Sequence, residues 1–320
     1  MKIGLFTVVY QDRPMMAVLD RIKELGIEAI EIGVANYPVS PHLDELDGER
    51  GLSEFVERLN RDGITISALS CHGNPLHPNP AVGEAHQAGW LKTLEWAKRL
   101  GVTTVNGFSG CPGTPGGGDY PNWVTAAWPN DYRELLDWQW DQKVVPYWKK
   151  AVQDAAGHGV TQIGLEMHPG FVVYNPYTLL KLRERVGPAI GANFDPSHLF
   201  WQGIDPVAAI RKIAAAGALF HVHAKDVSVD PVVAAVDGVL DTRPYERTIE
   251  RAWSFCTVGY GHGAVTWAQI VRELRQNGYD GVLSIEHEDA LASKDEGVEH
   301  AVRLLKTVVW KEPSAEMWWA

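Results

Sequence analysis

The 320-residue sequence predicts an α/β protein built as one closed (β/α)8 barrel, and two observations carry that prediction. A single phrase recurs along the chain: the end of an amphipathic helix, a glycine, then a short run of β-forming residues. The later runs end in acidic and imidazole side chains rather than in ordinary turn residues.

The opening strand is read at residues 3–9. Leu25-Gly26 then precedes Ala29-Ile30-Glu31, Asp62-Gly63 precedes Ile64-Thr65-Ile66, and Leu100-Gly101 precedes Thr103-Thr104-Val105. His158-Gly159 precedes a run at 162–165, and a further run covers 190–194. Ala216-Gly217 precedes Phe220-His221-Val222, and Asn277-Gly278 precedes Val282-Leu283-Ser284. Glycine suits those positions because the residue just past a helix often turns left-handed. Eight strands alternating with helices in one chain predict a closed parallel barrel rather than an open sheet. The dinucleotide-binding alternative lacks its glycine fingerprint after any strand. One domain is expected over 1–320, with long βα loops at about 110–132 and 227–264 and an apolar tail containing Met317, Trp318 and Trp319.

An apolar share of 45% and a charged share of 22% are ordinary for a soluble globular protein. The formal charge of −11 speaks against nucleic acid or an anionic membrane as partner. No apolar run reaches membrane-spanning length, and Met1-Lys2-Ile3-Gly4 enters a strand without a signal-peptide pattern. Cys71, Cys111 and Cys256 are too few and too scattered for a disulfide framework, which predicts a reduced, cytoplasmic protein.

In barrels of this type the active site lies at the C-terminal ends of the strands. Glu166, Asp195, His223 and Glu286 stand there on successive strands, and the alternation of strand side chains can aim all four into one space. Such a set predicts a mononuclear metal site of mainly hard oxygen donors, suited to Mn²⁺, with Mg²⁺, Co²⁺ or Zn²⁺ as alternatives. His221 projects to the same side as His223 but lies deeper, and is read as supporting or packing. His168 and His198 are candidate acid/base or hydroxyl-binding groups, each with turn capping as its plainer role. Glu31, His72 and Asn106 are candidates for the pocket wall from earlier strands. Adjacent strand residues face opposite ways, so Cys71 and His72 do not form a nucleophilic pair. Gly116, Gly117 and Gly118 lack the Lys-Ser/Thr of a phosphate loop, and no arginine cluster marks a phosphate subsite. Thirteen tryptophans are an excess; most are expected to pack the helices, while Trp123, Trp128 and Trp201 are candidates for stacking on a sugar or a flat substituent.

The motifs Leu-Glu166-Met-His168-Pro, Asp195-x-x-His198, His221-Val-His223-Ala-Lys-Asp226 and Ile-Glu286-His-Glu-Asp289 resemble the xylose-isomerase-like sugar isomerase/epimerase superfamily over nearly the whole chain. The resemblance implies Glu166, Asp195, His223 and Glu286 as ligands of Mn²⁺ or a similar ion, proton exchange between the two glutamates and substrate, and His198 touching a hydroxyl. Ketose 3-epimerases carry a second glutamate where this chain has Val172 and an arginine where it has Val229, which implies a different substrate. Relatives acting on 3-oxo-glycosides, including C-glycoside deglycosidase catalytic subunits, are similar. The three-zinc DNA-repair endonuclease branch fits neither the acidic charge nor the ligand set.

The expectation is therefore a metal-dependent isomerase or epimerase of a keto sugar, cyclitol or related polyol. Glutamate would abstract a proton, and the metal would stabilise the enediolate. Alternatives are a lyase acting on 3-oxo-glycosides, with His168 or His198 protonating the leaving group, and a non-catalytic sugar-binding barrel. Expected partners are a small carbohydrate substrate, a second copy of the chain and an accessory subunit.

Overall fold

The structure, a computed structural model, describes residues 1–36, 40–313, 316, 317 and 319. Trp318 of the apolar tail lies outside the described residues. Eight parallel strands close into a barrel: β1 (Lys2–Phe6), β2 (Ala29–Gly33), β3 (Thr65–Cys71), β4 (Thr104–Gly107), β5 (Gln162–Glu166), β6 (Ile190–Phe194), β7 (Leu219–Ala224) and, last in the chain, β10 (Val282–Ile285). Between β7 and β10 the chain makes an antiparallel ribbon of β8 (Asp226–Val229) and β9 (Trp253–Cys256).

The recurrent glycines behave as the sequence predicts. All six adopt positive φ, from 60° at Gly217 to 81° at Gly159. At Gly26 the turned amide donates to the carbonyls of Ile22 and Lys23, closing a helix that buries Met15, Val18, Leu19 and Ile22 at three- and four-residue spacing. Outward-facing strand residues such as Ile30, Leu69, Val105, Ile163, Val222 and Leu283 are buried in the main apolar core. The inward face is polar instead: Ser70, Asn106, Glu166, Asn193, His221, His223 and Ser284 are all buried. Gly164 makes room in that interior, because a side chain there would collide with Asn106 Oδ1.

Two expectations are corrected. The opening strand stops at Phe6, where its pairing with Glu31 ends, and Thr7–Tyr10 form a 3₁₀ turn. The buried His42 ring holds the segment that follows, with Nε2 at 3.2 Å from the Tyr10 carbonyl and 3.1 Å from that of Arg13. The long segment before the last strand is not an irregular loop. It carries the ribbon and a short helix, Pro231–Asp237, and the ribbon packs through Val227 and Trp253 on Trp201. The Trp201 and Trp253 rings lie 4.6 Å apart and 6° from parallel. No helix among the described residues is long and apolar enough to cross a membrane.

Candidate functional site

Glu166 ends β5, His223 lies near the end of β7, and Asp195 and Glu286 follow β6 and β10 directly. The structure brings the four together: one donor atom from each lies within 4.8 Å of the others. Asp195 is divided in function. Its Oδ1 accepts from the Ser197 amide at 2.8 Å, capping the helix Pro196–Trp201, while Oδ2 is buried without a hydrogen-bond partner. Glu286 Oε2 lies 2.8 Å from His223 Nδ1, yet it too forms no hydrogen bond. Two buried carboxylate oxygens without donors, converging with an imidazole nitrogen, fit a hard divalent cation.

His223 is oriented from behind. Its Nε2 donates to both oxygens of Glu31, each at 3.0 Å, which leaves Nδ1 facing the cluster. Glu31 also accepts from Asn106 Nδ2 at 2.9 Å and from the Ser70 hydroxyl. A register shift between Ile30 and Glu31 marks the strand where this carboxylate enters the barrel. Below, His221 Nδ1 pairs with Asn193 Oδ1 at 3.0 Å and its Nε2 with Ser67 Oγ at 3.1 Å. Glu31 and Asn106, expected on the pocket wall, and His221, expected as a deeper supporting residue, thus form a buried polar floor under His223.

Glu166 Oε1 accepts from His198 Nε2 at 3.0 Å, and Oε2 lies 3.2 Å from His72 Nε2 without a hydrogen bond between them. Burial opposes its charge, but His198, His72 and His223 override that and keep its carboxyl well below the usual range. Burial likewise opposes the charge on Glu286, and Lys225 and then His223 bring its pKa down to about 2. Asp195 goes the other way: burial raises it to about 6, and Glu166 and Glu286 reinforce burial while His198 and Lys225 oppose it. His168 Nδ1 donates to the Pro169 carbonyl at 2.6 Å, so its Nε2 carries the lone pair. Burial, and then His198 with its ring 4.1 Å away, hold His168 down at about 3, and the ring is neutral.

A cavity of about 580 Å³ opens over this cluster, lined in part by His72, Glu166, His168 and Glu286. Its apolar walls are Phe108, Tyr245 and Phe255. The tryptophans singled out in the sequence are elsewhere. Trp128 is 79% exposed, Trp123 packs edge-on against Tyr174, and Trp201 is buried under the ribbon. They serve packing or face solvent because the ribbon, not the loop at 110–132, walls this cavity. Sequence reasoning also passed over Lys225. Its side chain is buried, with Nζ 3.2 Å from Glu286 Oε1, 2.9 Å from Glu288 Oε2 and 4.3 Å from the Phe255 ring centre. The signal was present, since Lys225 continues the inward alternation of His221 and His223.

Fold and site together define an α/β barrel with a carboxylate-rich centre at its strand ends. The description of the xylose isomerase-like TIM barrel family matches residues 19–308, and the chain belongs to that family. The uncharacterized protein YfiH of Bacillus subtilis (strain 168) is 37% identical over 314 residues, covering 97% of this chain and 99% of its own. A crystal structure of the IOLI protein with a binding zinc atom superposes with a TM-score of 0.67 at 18% identity, covering 97% of this chain and 98% of that one. The structure of L-ribulose 3-epimerase gives 0.63 at 17% identity, covering 96% and 94%. Both structures share the fold.

Proposed function

We propose that the protein is a divalent-metal-dependent isomerase or epimerase of a keto sugar, cyclitol or related polyol. The observation that carries this reading is the placement of Glu166 and Glu286 in one buried cluster with Asp195 and His223, at the floor of a cavity large enough for such a molecule. The shared fold with L-ribulose 3-epimerase and the zinc in the IOLI structure support it.

Glu166, Asp195, His223 and Glu286 would hold a divalent cation, which would supply polarisation of a substrate carbonyl and stabilisation of negative charge on its oxygen. One of Glu166 and Glu286, as the carboxylate, takes the proton from the carbon beside that carbonyl, and the other, entering the turnover as the carboxylic acid, gives its own proton to the opposite face, so that the pair exchanges protonation states. His198 orients the Glu166 carboxylate through Oε1, with the His72 ring lying against the other oxygen. The Lys225 ammonium compensates Glu286 while that group is ionised. The bare Nε2 of His168 accepts from a substrate hydroxyl, a role its neutral ring suits better than protonating a leaving group. Phe108 and Phe255 keep bulk water off the reacting carbon.

NMR of Mg²⁺-loaded protein in D₂O with ketoses, inososes and 3-oxo-glucosides tests the reading. Deuterium is expected beside a carbonyl, with an epimer or isomer accumulating. Absence of exchange across the panel, in protein shown to hold metal, would sink it.

A further inference from the structure

Among the described residues, two further groups of acidic and imidazole side chains converge beside the four-residue cluster: Glu31 with His221 and His223, and Glu166 with His168 and His198. The first group is saturated by its own hydrogen bonds. Both ring nitrogens of His221 are taken by Asn193 and Ser67, and His223 Nε2 is bound to Glu31. The second group is not saturated. His168 gives its Nδ1 hydrogen to the Pro169 carbonyl, which leaves a lone pair on Nε2 of a residue that lines the cavity. Phe108 and Phe171, with ring centres 4.8 Å and 5.5 Å away, hold the imidazole in that pose. His198 is 1% exposed, and its Nδ1 has no hydrogen-bond partner.

One donor atom from each of Glu166, His168 and His198 lies within 4.8 Å of the others. Ligands at about 2.0–2.1 Å from a tetrahedral ion stand roughly 3.3 Å apart. Glu166 Oε1 and His198 Nε2 are 3.0 Å apart, within a few tenths of an ångström of that spacing. The other oxygen of Glu166 faces a different set, with Oε2 3.5 Å from His223 Nδ1. A carboxylate that turns one oxygen to each of two donor sets is placed as the bridge of a two-metal centre, whose ions stand about 3.5–4 Å apart.

We propose that Glu166, His168 and His198 form a second divalent-metal site, joined to the first through the Glu166 carboxylate, so that the centre is dinuclear. This rests on the reading of Glu166, Asp195, His223 and Glu286 as the first site. The two sites differ in chemistry: three carboxylates and one imidazole suit Mn²⁺ or Mg²⁺, whereas two imidazoles and one carboxylate suit Zn²⁺ or Co²⁺. They differ in strength as well. One divalent ion and the Lys225 ammonium balance Glu166, Asp195 and Glu286, so a second dication meets a neutral centre and binds more weakly. Three protein ligands leave that ion an open position, which a substrate hydroxyl fills in place of its contact with His168 Nε2. The pair therefore suits a substrate with oxygens on adjacent carbons, one oxygen to each ion.

Equilibrium dialysis of metal-free protein against Zn²⁺ and, separately, Mg²⁺, with bound metal counted by atomic emission, tests this. Two Zn²⁺ but one Mg²⁺ per chain are expected, the second Zn²⁺ held at least about tenfold more weakly than the first. His168→Leu should remove the weaker Zn²⁺ and leave the tighter one in place. Co²⁺ gives a second measurement on the unaltered chain: as the second ion binds, coupling through Glu166 should attenuate the paramagnetic resonance of the first. One Zn²⁺ per chain, a second Zn²⁺ that survives His168→Leu, or two Co²⁺ without coupling overturns the proposal. Deuterium exchange by protein that holds one ion keeps the isomerase reading and removes the second site. Two coupled ions without exchange on any substrate do the reverse, and a chain that binds no divalent ion removes both.

Discussion

Glu31 grips His223 from beneath: both carboxylate oxygens lie 3.0 Å from Nε2, and this directs Nδ1 toward Glu166 and Glu286. The imidazole is thereby fixed in ring plane and in tautomer. Glu31→Gln should therefore weaken divalent-metal binding by roughly ten- to a hundredfold without removing a ligand. Competition against a chromophoric chelator reads this directly, and unchanged affinity would show that the pair does no more than fill the barrel.

The two glutamates of the cluster make a sharper test. Glu166→Gln and Glu286→Gln should each lower turnover by about 10²-fold or more, while circular dichroism and melting behaviour stay near those of the parent. Near-normal turnover in both variants would remove these side chains from the chemistry.

Lys225 is buried between Glu286 and Glu288 and against Phe255. Lys225→Met keeps the stem but leaves the buried Glu286 without its ammonium, at a cost on the order of 3 kcal/mol. Urea unfolding of metal-free protein measures the loss. Added divalent cation should restore part of it, because the cation takes up the same negative charge. A variant as stable as the parent would mean that Glu286 is already protonated or compensated elsewhere.

His42 supplies a pH test far from the cluster. Its ring accepts from the Thr7 hydroxyl and donates to backbone carbonyls, and burial lowers its pKa from the ordinary 6.5, against the pull of those bonds and of Glu45 and Asp12. The unfolded chain thus takes up this proton first. The stabilisation is present above pH 6.5 and is lost as the pH falls from there toward the lower folded value. The urea midpoint should drop between pH 7 and pH 5, and His42→Gln should make that drop shallower. Identical profiles would place the acid sensitivity elsewhere.

The barrel was legible in the sequence because its punctuation is local. A helix that ends on Gly26 or Gly217 needs no distant contact to explain the residue, and the run that follows is a strand by composition alone. The meeting of Glu166, Asp195, His223 and Glu286 was legible for a related reason: in a closed parallel barrel every strand end reaches one mouth. The walls were not legible. β8 and β9 pair across more than twenty intervening residues, so no tight-turn signal joins them, and nothing local says that Phe255 rather than Trp128 will face the cavity. Glu31 and Asn106 were recognised as inward-facing, but their depth depends on the register shift in β2, which alternation alone does not reveal.

The ribbon hydrogen-bonds to itself as a two-stranded sheet and leans on the barrel through the Trp201–Trp253 stack. It is also tied to the end of the last barrel strand, because the Thr257 amide and hydroxyl both donate to Asp289 Oδ2 and the Phe255 ring lies against Lys225, the partner of Glu286. The wall of the mouth and one of its carboxylates are thus mechanically joined, so a change of length or shape in 226–263 would be felt at Glu286.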